Sequence, residues 1–442
     1  MSSTEMRQQI ENLLSLATKK ADQAEVYVTL YEETPALFEA NRLKQLHTTQ
    51  GNSVALRIIR EGRIGFATST DLQEMDGLLN RAIAVSQFGA EAKFELPSQS
   101  HFPPVEVYSP EVDAITMDEM VELGEQMVSH VRKHTPVVMC EATVTKSTVS
   151  QYLTNSRGGE FHYKKSTFAL GIEGMIVNDT DMLFVGEMEA SCRPIRQVHN
   201  VTDRVISQLE NAKRLATISS GTIPVLFTPT GVASALTAPL CAAFNGKVVV
   251  HGASPLQGKL DNQAFNQALS IYDDATLDYC PRGRPCDDEG IASQRTPLIE
   301  AGVVKNFLYD LQTAGMASKK STGSGSRGGG LPAPRTSAII IEPGDVRFDD
   351  VVADMKEGLV VEQLMGASQT NVLGGDFSGN VLLGYKVENG KLVGRVKDVV
   401  VSGNIHELLA GAVTICSERR WLGGTMYIPA FYFPNVGVAS KA

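Results

Sequence analysis

The chain has 442 residues, 43% of them hydrophobic and 20% charged, a soluble globular balance that is too long for one ordinary core, so two or three domains are expected. Lys and Arg number 40 against 50 Asp and Glu, for a formal net charge of −10; no basic block could track a phosphate backbone, which disfavours direct nucleic-acid binding. The six cysteines, at 140, 192, 241, 280, 286 and 416, form no CxxC pair and are too sparse for a disulfide framework, so reduced thiols in a cytoplasm are expected.

The N-terminal segment, with Ile10, Leu13, Leu14 and Ala17 on one face, reads as a helix over about 4–19 rather than a signal peptide, because a basic stretch followed by an apolar run is missing. Val26, Val28 and Leu30 alternate with Tyr27 and Thr29 as in a half-buried strand. Val54, Leu56 and Ile58, then Ile64 and Phe66, flank Glu61-Gly62 as a hairpin. A helix is expected over 71–88, with Leu72, Met75, Leu78, Leu79, Ala82 and Ile83 on one face.

Residues 96–116, with Pro97, Pro103, Pro104 and Pro110, read as a linker. A helix over 117–134, extended segments from Val137 to Asp179 and a helix over 201–216 follow. The charge-free stretch Leu215–Gly246 is broken by prolines and polar residues; it reads as a buried strand, Thr222–Phe227, and a buried helix from Gly231, not as a membrane span. Beyond it, short apolar runs such as Ala338–Ile341, Leu359–Leu364, Val381–Val387 and Thr425–Phe433 alternate with Gly-containing turns, among them Glu388-Asn389-Gly390. The expected class is α+β: N-terminal α/β regions (1–95 and 117–220, joined by 96–116) followed by a mainly antiparallel, barrel-like C-terminal domain (221–442).

Four segments occur in order in the C-terminal half: Asp287-Asp288-Glu289-Gly290, Leu298–Val303, Ser321-Thr322-Gly323, and Gly374 with Asp376-Phe377-Ser378-Gly379. Together with Gly51–Ser69 they resemble the TldD/PmbA family, on its TldE (PmbA) side. In the catalytic TldD branch, the resemblance implies, a helix at the start of the C-terminal domain carries HExxxH, two zinc-binding imidazoles and a water-activating Glu. Here the corresponding helix, Gly231–Phe244, contains neither His nor carboxylate, and Val232, Leu236, Leu240 and Phe244 recur at i+4. The one His-Glu pair, His406-Glu407, is followed by Ala410 and Gly411 where a second ligand would fall. No catalytic and no metal-binding residue is therefore expected in this chain.

The remaining motifs favour structural roles. Asp273-Asp274 and Asp287-Asp288-Glu289 fit no EF-hand spacing and read as turn residues, with a role for Asp288, Glu289 and Gly290 in shaping a central cavity as the alternative. Ser321–Gly330 lacks the Lys-Ser or Lys-Thr of a phosphate loop and reads as a flexible loop beside a cleft. Cys280 and Cys286 lack His or Cys companions, and Cys416 is expected to be packing. The cleft-lining candidates are Asp288, Glu289, Gly290, Ser321, Thr322, Gly323, Asp376, Phe377 and Ser378.

Three functions remain open. The resemblance implies a non-catalytic subunit that forms a heterodimer with a TldD-like, HExxxH-bearing zinc protease and acts on unfolded or small peptides, with zinc in that partner only. A self-associating peptide-binding or scaffold protein is the second reading, and a stand-alone hydrolase with an unrecognised site the third. The family is also linked to modulation of DNA gyrase. Neither nucleic acid nor membrane is expected as a direct partner.

Overall fold

A computed structural model of the chain describes residues 3–441. It opens with α1 (Ser3–Thr18), the strands β1 (Gln23–Glu39), β2 (Arg42–Leu46), β3 (Thr49–Arg60) and β4 (Arg63–Ser69), and α2 (Met75–Ser86). Then come α3 (Pro110–Ala114), α4 (Met117–His134), the long strands β5 (Met139–Asn155), β6 (Glu160–Asn178) and β7 (Asp181–Ser191), and α5 (His199–Asn211). These strands form one antiparallel sheet in the order β4-β3-β1-β5-β6-β7, with β2 on β1. The segments 1–95 and 117–220 therefore share a sheet, through β1–β5 pairs running from Glu25↔Asn155 to Phe38↔Ala142. The sheet carries two apolar clusters, and the far end of β1, Ala36 and Phe38, belongs to the second of them. Leu13, Val26, Leu56 and Leu78 pack beneath α1 and α2, and Met127, Val144, Leu170 and Val205 beneath α4 and α5.

Local chemistry accounts for most element ends. Glu61 and Gly62 both take positive φ, 51° and 72°, the backbone a two-residue hairpin turn requires. α4 begins with a capping box, in which Thr116 accepts from the Glu119 amide and Glu119 from the Thr116 amide. α2 starts later than its apolar spacing predicts, because Asp71 turns back to accept from the Gln73 amide at 2.8 Å. α5 stops short of 216: the Ala216 amide donates to the Arg395 carbonyl at 2.8 Å, so tertiary pairing takes over from the helix. The proline-rich 96–116 is packed rather than free. Leu96, Val107 and Ile115 are buried, and Asn155 Nδ2 donates to the Pro97 carbonyl at 2.8 Å.

The C-terminal half comprises β8 (Gly221–Phe227), α6 (Pro229–Phe244), α7 (Gly246–Val250), β9 (Ile271–Asp274), β10 (Arg295–Glu300), β11 (Val303–Val304) and α8 (Leu311–Met316). It continues with β12 (Gly325–Ser326), β13 (Ala333–Pro334), β14 (Ile339–Ile341), α9 (Phe348–Asp354), β15 (Glu357–Met365) and β16 (Asp376–Glu388). The last elements are β17 (Lys391–Arg395), β18 (Val399–Asn404), α10 (Ile405–Ala410), β19 (Thr414–Leu422) and β20 (Met426–Ser440). The ring β8-β15-β16-β18-β20 closes on itself because β20 also pairs with β8, and closure leaves those strands no open edge. β14, β9, β10 and β11 extend the sheet from β20. Phe227 anchors the apolar core, edge-to-face against Phe377 and Phe433 at 6.2 and 5.9 Å. At Asn389-Gly390 both φ angles are positive, 49° and 76°, which closes the β16–β17 hairpin. Among the described residues no helix is long and apolar enough to cross a membrane.

Candidate functional site

The helix where the resemblance places zinc ligands is α6. Thr228 caps it by accepting from the Gly231 amide at 3.3 Å. Its first turn lies so close to β15 that a Cβ on Gly231 would sit 2.3 Å from the Val361 carbonyl oxygen. Another face borders a narrow slot of about 20 Å³ lined by Val232, Leu236, Leu240 and Phe244, with Ile271, Ile339, Met426 and Ile428 also on its walls. Thr237, Thr336 and Cys241 supply its only heteroatom-bearing side chains besides Met426. Burial pushes the Cys241 thiol up to about 11, so it stays protonated near neutral pH. A protonated thiol and two hydroxyls do not fit a zinc, which takes deprotonated sulfur, imidazole or carboxylate.

Six of the nine cleft-lining candidates do meet, at the junction between the N-terminal sheet and the C-terminal domain. Asp287 organises the turn: Oδ1 accepts from the amides of Glu289 and Ile291 at 3.0 and 2.9 Å, and Oδ2 from that of Gly325 at 2.8 Å. Asp288 accepts from Tyr27 Oη at 3.2 Å and from the Arg327 amide at 2.8 Å. Glu289 accepts from Arg57 Nη1 at 2.6 Å and from the Leu311 amide at 2.7 Å. Gly290 closes the turn onto the Asp287 carbonyl at 3.1 Å. Alongside, Ser321 Oγ donates to the Tyr309 carbonyl at 3.1 Å, Thr322 Oγ1 accepts from the Tyr309 amide at 2.8 Å, and the Gly323 carbonyl accepts from Arg284 Nη2 at 3.1 Å.

The two carboxylates are spent on partners within the fold and do not face an open cleft: Asp288 is 7% exposed and Glu289 0%, while Ser321 and Thr322 are half-buried. The turn reading is likewise incomplete, because Arg57 holds Glu289 with one arm and Glu25 with the other, Nε to Oε1 and Nη2 to Oε2 both at 3.1 Å. Arg327 reaches the same Glu25. Burial raises the carboxyls of Asp287 and Glu289 above their usual range, opposed by Arg284 at the first and Arg57 at the second. Of the glycine-rich loop only Gly328, Gly329 and Gly330 have open space around them; Ser324 and Gly325 are buried. Asp273 is buried too, accepts from the Ser337 amide at 2.6 Å, and is pushed up to about 7 by burial.

Asp376, Phe377 and Ser378 lie elsewhere, in the barrel wall opposite Asn404, Gly403 and Ser402 of β18. Asp376 accepts from Asn404 Nδ2 at 2.9 Å, and Phe377 is core. Cys416 is fully buried, its thiol pushed up to about 12 by that burial.

One open concavity is not visible in the sequence reading. A cleft of about 290 Å³ separates α5 (Gln208 and Asn211) from the outer barrel face (Glu362, Tyr385 and Arg420), with Thr228 and Pro229 at the head of α6. Arg420 binds Glu187 and Thr230 and lies 4.0 Å from Glu362; burial raises Glu362. Tyr385 is 2% exposed, and its hydroxyl has no hydrogen-bond partner among the described residues. The one sequence signal was Glu362 itself, a charge inside the apolar run 359–364.

Residues 220–440 match the model of the PmbA/TldA metallopeptidase C-terminal domain and residues 24–86 that of domain 1. The metalloprotease PmbA of Escherichia coli O157:H7 is 24% identical over 93% of this chain and 91% of its own length. TldE from Thermococcus kodakarensis superposes with a TM-score of 0.88 at 23% identity, covering 98% of this chain and 100% of that one. A Thermotoga maritima protein described as a modulator of a DNA gyrase gives 0.89 at 22% identity, with the same coverage.

Proposed function

The chain belongs to the PmbA/TldD metallopeptidase family, on its PmbA/TldE branch, and we propose that it is the non-catalytic subunit of a zinc metalloprotease complex. The observation that carries this reading is the α6 slot: the family fold is retained, while the slot against the helix that would hold zinc and its general base is lined only by apolar side chains, the Met426 thioether, two threonine hydroxyls and a protonated thiol. An HExxxH-bearing, TldD-like partner supplies the metal and the activated water. This chain supplies walls for an extended peptide, unfolded or small, which backbone pairing holds with little sequence preference. The cleft between α5 and the barrel offers about 290 Å³, the low end for a ligand site, and its polar floor of Glu362, Arg420 and the unpaired Tyr385 hydroxyl suits peptide amides. The complex acts in the cytoplasm.

The test is reconstitution with the HExxxH paralogue from the same genome. This chain alone, with added zinc, is expected not to cleave an unfolded peptide. The mixture is expected to form a stable complex whose cleavage is lost, with assembly kept, when the partner's HExxxH Glu is replaced by Gln. Chelator-insensitive cleavage by this chain alone would overturn the proposal in favour of a hydrolase. A stable homo-oligomer that binds no paralogue would overturn it in favour of a scaffold.

A further inference from the structure

α4 and α5 pack side by side and face each other with two rungs of histidine and carboxylate. At one rung His134 Nε2 closes on Glu210 Oε1 at 2.5 Å, a direct charge-assisted hydrogen bond. At the other, His130 Nε2 stops 3.8 Å from Asp203 Oδ1, too far for such a bond. A second imidazole stands at the same rung. His199, one turn before Asp203 on α5, brings Nδ1 within 3.7 Å of the same carboxylate oxygen, and its ring meets that of His130 edge-on at 4.8 Å. One donor atom from each of the three residues lies within 4.8 Å of the others.

The tautomer of His130 is set from behind. Thr202, fully buried, gives its single hydroxyl proton to the Val198 carbonyl at 3.1 Å, so at 2.7 Å from His130 Nδ1 it accepts. In the neutral ring Nδ1 therefore carries the hydrogen and Nε2 a lone pair, facing a carboxylate that has only lone pairs to offer. Two electron-pair donors and a third beside them, held open where the neighbouring rung closes, call for a positive charge among them. An imidazole whose far nitrogen donates to a fixed oxygen is the arrangement found behind metal-bound histidines.

We propose that His130, His199 and Asp203 form a binding site for a divalent transition-metal ion that prefers imidazole, of the zinc class. Around a tetrahedral ion the donors stand about 3.3 Å apart, so the gaps of 3.7 and 3.8 Å to Asp203 and the gap of up to 4.8 Å between the two imidazoles close by side-chain rotations, which the solvent-facing His199 and Asp203 are free to make. Three protein donors leave a fourth position to water or to a group from outside. The ion would clamp α4 to α5, and α5 is the helix that walls the cleft beside the barrel. This site shares no residue with the α6 slot and requires nothing of the protease reading.

Titration of the full-length chain, stripped by chelator beforehand, with Zn²⁺ by calorimetry and with Co²⁺ by visible absorption tests the assignment. The expected result is one ion per chain, with the visible bands of a four-coordinate Co²⁺ site. His199→Ala and Asp203→Asn are each expected to weaken binding at least ~10-fold, and Thr202→Val, which removes only the hydroxyl behind His130, by ~10-fold. His47→Ala, on a different element, is expected to leave it unchanged. Circular dichroism of the metal-free variants verifies that they fold. Absence of saturable one-to-one binding, or binding that survives both His199→Ala and Asp203→Asn, would overturn the site.

Discussion

Arg57 of β3 and Glu289 of the C-terminal domain, 232 positions apart in the chain, meet at 2.6 Å with neither side chain more than 2% exposed. The same guanidinium grips Glu25, so a single cation ties the N-terminal sheet to the turn that carries the Asp287–Gly290 motif.

Removing that cation leaves Glu289 buried with no cationic partner and only the Leu311 amide to hold it, and leaves Glu25 to Arg327 alone. Arg57→Met is expected to destabilise the protein by about 3–5 kcal/mol, read as a shift in urea midpoint at constant slope. Arg81→Ala, which breaks the exposed pair with Glu74, is expected to cost less than about 1 kcal/mol. Equal effects of the two substitutions would contradict the view that the buried ion pair joins the domains.

Asp273 predicts a pH dependence. Its folded-state carboxyl titrates at about 7, against the ordinary 3.8, so between those values the folded chain keeps a proton that the unfolded chain has released. The contribution of this group to stability therefore falls as pH rises through that window, and levels off above it. Asp273→Asn keeps an acceptor for the Ser337 amide without the charge. Its stability relative to the parent is expected to rise by on the order of 2 kcal/mol between about pH 5 and about pH 8, measured by chemical denaturation at each pH. A difference that does not change with pH would show that Asp273 is ionised in the folded protein.

Cys241→Ser and Cys416→Ser are expected to leave the turnover of a reconstituted complex unchanged. Burial holds both thiols protonated, at about 11 and about 12, and neither has a base to activate it. The cost is a packing loss of about 1 kcal/mol, seen as a lower melting temperature. Loss of turnover with assembly intact would assign one of these thiols to chemistry.

Tyr385→Phe separates a structural from a binding role for the cleft. Because the hydroxyl is buried without a partner, deleting it is expected to be neutral or slightly stabilising in the free chain. If peptide amides supply the missing partner, the same change raises KM for peptide in the complex with kcat little altered. A destabilised free chain would show that the hydroxyl already has a partner within the fold.

What could be read directly was what depends on neighbours in sequence. The turn residues Glu61-Gly62 and Asn389-Gly390 and the alternation in the apolar runs place two hairpins and the barrel strands without tertiary information, because turns and pleats act over a few residues. The lack of metal ligands in α6 is legible for the same reason, since a helical motif is a matter of spacing. The sharing of one sheet by 1–95 and 117–220 was not legible, because β1–β5 pairing joins segments more than a hundred residues apart, and register between distant strands leaves no local mark.

The candidate site divides along the same line. The family resemblance grouped Asp288, Glu289, Gly290 and Ser321–Gly323 as a set, but only the fold shows that Glu25, Arg57 and Arg327 complete them and turn them inward. Likewise Glu362, Tyr385 and Arg420 meet α5 across a cleft, and His130 meets His199 and Asp203, only through helix and sheet packing. The sequence by itself determined which elements form and that α6 carries neither His nor carboxylate, since both follow from residue type and short-range spacing. Which charges are buried, which side chains stay open and which distant residues share a site were decided by the tertiary structure alone, because desolvation and Coulombic pairing depend on distance in space and not on separation along the chain.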